Sequence, residues 1–320
     1  MAGPLQILAM TVAVAAGAYL GPLALAYLVQ SYSSSAAFAA TAARLHDLAA
    51  PFLHPLLLFP SATPLIDHNN TSPPTAACPA HNYTTQLVSL DPLVIYIRSF
   101  VSAAESAALI AAGEPLLQPS PITGTGSQDS TGTSARTSWS APLPPSADVV
   151  RCVLARGAAF LGTLLADGRD DMGTAQLVRY TAGQKYDVHA DWFARPRVLA
   201  EDAAAGRRRM YNRAATLFVV LQADGVPAGS GETWFPRVRP IHGRASAPGA
   251  GDGEGGREWY EHVEGGLAFR PVPGNAVCWV NLFPHNGSGD ARTVHAGLPI
   301  AGGVKTAMNI WPRTFFGPDA

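Results

Sequence analysis

A mainly β domain with flanking helices, an α+β arrangement built on a sandwich or jelly-roll barrel, is the fold class the sequence predicts. Three observations lead there. Eight short apolar runs follow one another at 176–180, 186–192, 215–222, 232–235, 266–272, 276–283, 293–298 and 304–312, each cut off by glycine or proline. No helix-length periodicity fills the gaps between them. The composition agrees, since 31 glycines and 27 prolines with only 14% charged residues suit a loop-rich β protein better than a helical bundle. The chain of 320 residues has room for one well-buried domain of about 200–250 residues plus appendages.

Taken in order, residues 1–30 read as a transmembrane anchor or signal segment. No charged side chain occurs before Arg44, and the apolar run at 5–29 is long enough to cross a bilayer. Pro22 interrupts the run and no basic residue precedes it, so its length favours an anchor over a cleaved signal. The position of Arg44, after the run, mildly opposes a lumenal C-terminus. Four glycosylation sequons, at Asn69, Asn70, Asn82 and Asn286, use half of the eight asparagines and argue for a lumenal or extracellular body. Residues 31–88, rich in Ser, Ala, Pro and Thr, read as a stalk, and the folded domain is expected over 89–320.

Within that domain an alternating run at 93–100 predicts a strand. Ser102 with Glu105 forms a capping box that opens a helix through Ala112. A Gly/Ser/Thr-rich loop covers 123–138, and an amphipathic helix is expected over 147–165. Two polar interruptions, 195–212 and 242–264, look like insertions at strand ends. Cys78, Cys152 and Cys278 allow one bridge and one free thiol at most, and Cys152 and Cys278 sit in apolar stretches as buried small residues would. A net charge of -1, with no basic block longer than Arg207-Arg208-Arg209, excludes an electrostatic footprint for nucleic acid.

The chemistry is carried by four side chains. His189 and Asp191 stand two apart, so a strand would send both to one face, where they could share a cation. His295 follows in a later run, and Lys305 comes ten residues after it. Two imidazoles and one carboxylate leave three adjacent positions of an octahedral ion open, as a non-haem iron(II) oxygenase requires. Two of these suit the 2-oxo and carboxylate oxygens of 2-oxoglutarate and the third suits O2. Lys305, on an apolar run, is placed to meet the far carboxylate, because a buried ammonium is costly without an anion.

From about residue 90 to 313 the chain resembles the prolyl 4-hydroxylase branch of the iron(II)/2-oxoglutarate-dependent dioxygenases. The likeness lies in Arg179-Tyr180-Thr-Ala-Gly183-Gln-Lys-Tyr186-Asp-Val-His189-Ala-Asp191, Arg213-Ala-Ala-Thr216, Gly231-Glu232-Thr233-Trp234-Phe235-Pro236, Pro273-Gly274-Asn-Ala276, 290–297, and Lys305 through Asn309 to Trp311, in that order. It implies a double-stranded β-helix (jelly roll) with N-terminal helices packed on one sheet. It implies hydroxylation of peptidyl proline to 4-hydroxyproline with release of succinate and CO2, using iron(II), 2-oxoglutarate, O2 and L-ascorbate. His189, Asp191 and His295 would hold the metal, and Tyr180 and Thr233 would join Lys305 on 2-oxoglutarate. Tyr186, Arg213, Arg136 and Trp311 would line the substrate groove. Asp290 would shape the turn before His295, and His242, His262 and His285 would be solvated. Two rival readings are the same chemistry on a free amino acid or secondary metabolite, and a catalytically silent jelly-roll binding protein. The expected location is the endoplasmic reticulum or Golgi membrane, single-pass with a lumenal catalytic domain, or secreted if the N-terminal segment is cleaved. The C-terminus carries no retrieval tetrapeptide, so retention would rest on the N-terminal segment. Ser230-Gly231 replaces the usual double glycine, and both insertions are longer than the branch usually carries.

Overall fold

The computed structural model describes residues 78–120, 136–241 and 258–320. The apolar run at 5–29, the stalk up to residue 77, most of the Gly/Ser/Thr-rich loop and residues 242–257 lie outside the described residues. Among the described residues no helix is long and apolar enough to cross a membrane.

Eight antiparallel strands form the larger sheet, in the spatial order β1 (Thr84–Leu90), β2 (Leu93–Arg98), β12 (Ala276–Val280), β8 (Ala215–Asp224), β14 (Val304–Ile310), β5 (Gln176–Thr181), β4 (Trp139–Pro142) and β3 (Gln118–Pro119). Five form the smaller sheet, in the order β10 (Trp259–Glu261), β11 (Leu267–Phe269), β9 (Thr233–Phe235), β13 (His295–Gly297) and β6 (Tyr186–His189). A separate pair joins β7 (Met210–Arg213) to β15 (Arg313–Phe316). Three helices complete the body: α1 (Ala103–Gly113), α2 (Asp148–Leu161) and the short α3 (Ala200–Ala204).

The period of two along a strand explains how these layers meet. In β8, Leu217, Val219 and Leu221 pack outward against Leu109 of α1 and Val150 and Val153 of α2. Phe218 and Val220 point the other way, towards Phe235, Leu267 and Phe269 of the smaller sheet. A strand buried on both faces reads as an unbroken apolar run, which is why Ala215-Thr-Leu-Phe-Val-Val-Leu shows no alternation in sequence. Burying each of these large side chains contributes roughly 1.5–3 kcal/mol before entropy is counted. The result is the double-stranded β-helix expected from the sequence, with α1 and α2 on the outer face of its larger sheet.

Helix α1 starts as its sequence requires. Ser102 Oγ accepts from the Glu105 N–H at 3.2 Å, and the Glu105 carboxylate accepts from the Ser102 N–H at 2.8 Å. The same carboxylate takes Arg156 of α2 at 2.6 Å, tying the two helices together.

Several boundaries differ from the expectation. Strand β1 lies partly inside the stretch read as stalk. Its register with β2 slips between Leu87 and Ser89, and Leu87 is exposed, so no clean alternation marks it. Helix α2 stops at Leu161, because Gly162 adopts φ of 52°, and a short 3₁₀ turn carries the chain on. The interruption at 195–212 is organised: α3 buries Asp202 between Arg207 and Arg209, and β7 pairs with β15. Within the second interruption, β10 extends the smaller sheet by pairing with β11. Cys152 is no bare core residue, since it is bonded to Cys78, while Cys278 is the buried free thiol. His285 is exposed as expected, but His262 is half-buried with its ring 5.0 Å from that of Trp234. His242 lies outside the described residues.

Candidate metal centre

His189, Asp191 and His295 offer ligand atoms that all lie within 4.8 Å of one another. Two of them meet because β6 and β13 pair, with His189 opposite His295 in register. The third arrives by a different route from the one its spacing suggests. Strand β6 ends at His189, and the chain bends at Asp191. The main chain there is caught by Arg213, which donates to the Asp191 carbonyl at 3.1 Å, and by Asn212, which accepts from the Phe193 N–H at 2.9 Å.

Both imidazoles are oriented by carbonyls. His189 Nδ1 stands 2.8 Å from the Asp187 carbonyl, and His295 Nδ1 stands 3.1 Å from that of Thr293. A carbonyl only accepts, so each Nδ1 carries the proton and each Nε2 is left as a free donor of electrons. The Nε2 atoms face opposite oxygens of Asp191, at 3.8 Å for His189 and 3.7 Å for His295. His295 is wedged between Phe235, stacked at 5.3 Å, and Trp279, edge-on at 4.7 Å. Tyr186 stacks on the His189 ring at 3.5 Å.

Charge follows from this packing. Burial and the neighbouring His295 push the His189 imidazole down to about 3, so it is neutral, as a metal ligand must be. Burial alone would raise the Asp191 carboxyl, but His295, His189 and Arg213 outweigh it and hold it down to about 2. The Trp311 indole N–H lies close enough to favour the same charge, although its geometry completes no hydrogen bond. Asp290 caps the 3₁₀ turn leading into His295 and grips Arg292 at 2.7 Å, as expected of a turn-shaping residue.

Lys305 enters from β14. Register pairs it with Tyr180 of β5, and the period of two turns it into the barrel alongside Ala307 and Asn309. The ammonium is 2% exposed and donates to the Gly231 carbonyl at 2.7 Å. Its other neighbours are the faces of Phe218 at 5.1 Å and Tyr180 at 5.8 Å. Burial pushes it down to about 8, with buried Glu232 pulling the other way. A buried ammonium with one hydrogen-bonded partner has donors to spare, and it fits the carboxylate of an acid such as 2-oxoglutarate.

One pocket gathers all ten side chains singled out in the sequence. Thr233 is buried on its wall, and Tyr180 is buried there too, with its hydroxyl pushed up by burial. Arg136 lies over the Tyr186 ring at 4.7 Å and bonds Ser138 and Gln176. Arg213 lies flat on Trp311 at 3.6 Å. Sequence reasoning missed Gln176 and Phe218 on the pocket wall, and it gave no role to Thr216, the hydroxyl partner of Asp191, or to Asn281, which bonds Thr216. Their only signal was position: each alternates into the barrel from its strand or its edge.

Relatives in sequence are prolyl 4-hydroxylases. No protein-family model matches the chain. Prolyl 4-hydroxylase 1 of Arabidopsis thaliana is 27% identical over 239 residues, 72% of each chain. Prolyl 4-hydroxylase subunit alpha-3 of Rattus norvegicus is 31% identical over 242 residues, 76% of this chain and 37% of that one. Among solved structures, the 2OG complex of viral collagen prolyl hydroxylase from Paramecium Bursaria Chlorella virus-1 is 20% identical, with a TM-score of 0.46 over 75% of this chain and 99% of the other. Prolyl 4-hydroxylases thus recur among the sequence relatives, and the motif residues converge in one barrel: the chain is similar to the prolyl 4-hydroxylase branch of the iron(II)/2-oxoglutarate-dependent dioxygenases.

Proposed function

We propose that this chain hydroxylates peptidyl proline to 4-hydroxyproline, holding iron(II) on His189, Asp191 and His295 and 2-oxoglutarate on Lys305. The observation that carries the reading is a three-ligand cluster sharing one pocket with a buried ammonium that has donors to spare. When bound, iron(II) and 2-oxoglutarate supply the oxidising power: O2 is split, the keto acid leaves as succinate and CO2, and one oxygen atom ends on the substrate carbon.

The protein's own work is positioning. Lys305 neutralises the far carboxylate of 2-oxoglutarate, and Tyr180 and Thr233 flank that carboxylate with hydroxyls. The aromatic and apolar walls, Phe218 and Tyr186 among them, keep water from the reacting carbon. Arg136, Tyr186, Arg213 and Trp311 shape the mouth and hold the substrate chain so that one C–H bond faces the metal. A polymeric substrate is favoured over a free amino acid because a second groove, about 680 Å³, shares Gln176, Arg213 and Trp311 with the pocket. L-ascorbate serves as the reductant that restores iron(II) after turnovers that miss the substrate.

The catalytic body works on the lumenal side of an endoplasmic reticulum or Golgi membrane, held by the apolar run at 5–29. Support comes from the Cys78–Cys152 bond, which oxidising compartments favour, and from the exposed sequon asparagines Asn82 and Asn286. A mobility shift on deglycosylation tests the compartment.

Activity is tested by incubating the full chain with iron(II), 2-oxoglutarate, ascorbate and either proline-rich peptides or free proline. Succinate release and a gain of one oxygen mass on a peptide prolyl residue are the expected result. Hydroxylation of free proline alone replaces the substrate assignment, and no consumption of 2-oxoglutarate with any substrate overturns the enzymatic reading.

A further inference from the structure

Behind the ligand cluster lies a hydrogen-bond chain that touches neither pocket nor solvent. Thr216 of β8 and Asn281, just past β12, are both 0% exposed. Thr216 Oγ1 stands 2.8 Å from Asp191 Oδ2, and Asn281 Nδ2 stands 2.9 Å from Thr216 Oγ1. The direction is fixed by what each group can do. The Asn281 amide Nδ2 only donates, so the Thr216 oxygen accepts there and its single hydroxyl hydrogen is given to the Asp191 carboxylate.

The Asn281 carbonyl oxygen takes no part in the chain. Among the described residues Oδ1 is buried without a hydrogen-bond partner. Turned over, the amide would offer that oxygen to Thr216, draw the hydroxyl proton to itself and strip Asp191 of its donor. Asn281 is also fixed by its main chain, donating to the Ala214 carbonyl at 2.9 Å and accepting from Asp290 N–H at 2.8 Å. Asp290 opens the turn that delivers His295. One residue therefore braces the segments bearing two of the three ligands.

We propose that Asn281 and Thr216 are positioning residues for the metal centre: a one-way relay that commits one oxygen of Asp191 and leaves the other the freer to take the ion. The inference rests on His189, Asp191 and His295 binding a metal. Outer partners of this kind set metal affinity by about 10–100-fold.

The test titrates Co(II) alone into the chelator-stripped full chain and into Thr216→Val, Thr216→Ser and Thr216→Ala, following the cobalt absorption bands, with melting of each metal-free protein alongside. Valine keeps the volume and loses the hydroxyl, whereas serine keeps the hydroxyl. The relay predicts Co(II) affinity reduced about tenfold or more in the valine and alanine forms, with serine within about threefold of wild type. Affinity that ranks with metal-free melting temperature rather than with the hydroxyl overturns the proposal, as does valine binding like wild type. Should valine fail to fold, the serine and alanine pair decides on the same criterion. A wild-type chain that binds no Co(II) sinks the metal-site reading itself, which is a separate failure.

Discussion

Replacing Lys305 by methionine should make the protein more stable and far worse at binding 2-oxoglutarate. In the folded chain, burial pushes this ammonium from an ordinary 10.5 down to about 8. At 1.36 kcal/mol per unit that is a charge penalty of about 3 kcal/mol. Methionine removes it but leaves the Gly231 carbonyl, now 2.7 Å from the nitrogen, without its donor, a loss of about 1–2 kcal/mol. The variant should therefore gain on the order of 1–2 kcal/mol at pH 7. The pH dependence has a definite sign. The folded pKa lies below the unfolded one, so the wild-type penalty is full below about pH 8 and fades as pH rises towards 10.5. The stability gap between the two proteins should close over that window. With 2-oxoglutarate bound, the missing ammonium strands a buried carboxylate, which costs about 3–5 kcal/mol. At about 1.4 kcal/mol per decade, the KM for 2-oxoglutarate should rise by roughly 10²–10³-fold or more. Urea unfolding at several pH values and succinate release against 2-oxoglutarate concentration measure the two halves. A KM within threefold of wild type, or a variant less stable than wild type at pH 7, refutes the reasoning.

Other outcomes follow from the same geometry. In the unaltered chain, kcat/KM for 2-oxoglutarate should decline above pH 8 as Lys305 loses its proton, and a profile flat to pH 10 contradicts this. Gly289→Ala should destabilise by about 1–3 kcal/mol, because its Cβ would fall 2.0 Å from the Trp192 ring that packs beside the Asp191 bend; unchanged urea unfolding would show the contact is slack. Cys152→Ser should lose about 2–4 kcal/mol and melt like the reduced wild type, and a wild type indifferent to reductant rules the bond out as a stabiliser. His295→Ala should abolish Co(II) binding while leaving the larger sheet folded, which titration and circular dichroism check together.

Much of the barrel was legible because strands punctuated by glycine and proline write their own ends. The eight apolar runs between 176 and 312 correspond to β5, β6, β8, β9, β11, β12, β13 and β14, with trimmed boundaries. What escaped were strands whose pattern is set by partners rather than by period. β1 is an irregular edge, β3 is two residues long, and β7 pairs far along the chain with β15. That His189, Asp191, His295 and Lys305 gather in one pocket could be expected from their spacing, because the chemistry read there demands those residue types. Thr216 and Asn281 could not, since a buried threonine and a buried asparagine have the same appearance in sequence whatever they hold. Asp191 was found for an incomplete reason: it reaches the site by a bend after β6, and the regular alternation behind the expectation stops at His189. Cys152 was misjudged because its partner, Cys78, lies in a segment without any fold signal of its own.

The two-sided burial of β8 has a genetic consequence. Its odd-numbered positions, 217, 219 and 221, serve the helices, while 216 and 218 serve the ligand cluster and the pocket floor. Substitutions at 217, 219 and 221 should lower accumulation alone, whereas substitutions at 218 should lower accumulation and activity together, because Phe218 belongs both to the core under the smaller sheet and to the pocket wall. Durability can thus be adjusted at the outward positions of this strand without touching the pocket, while its inward positions tie the two together.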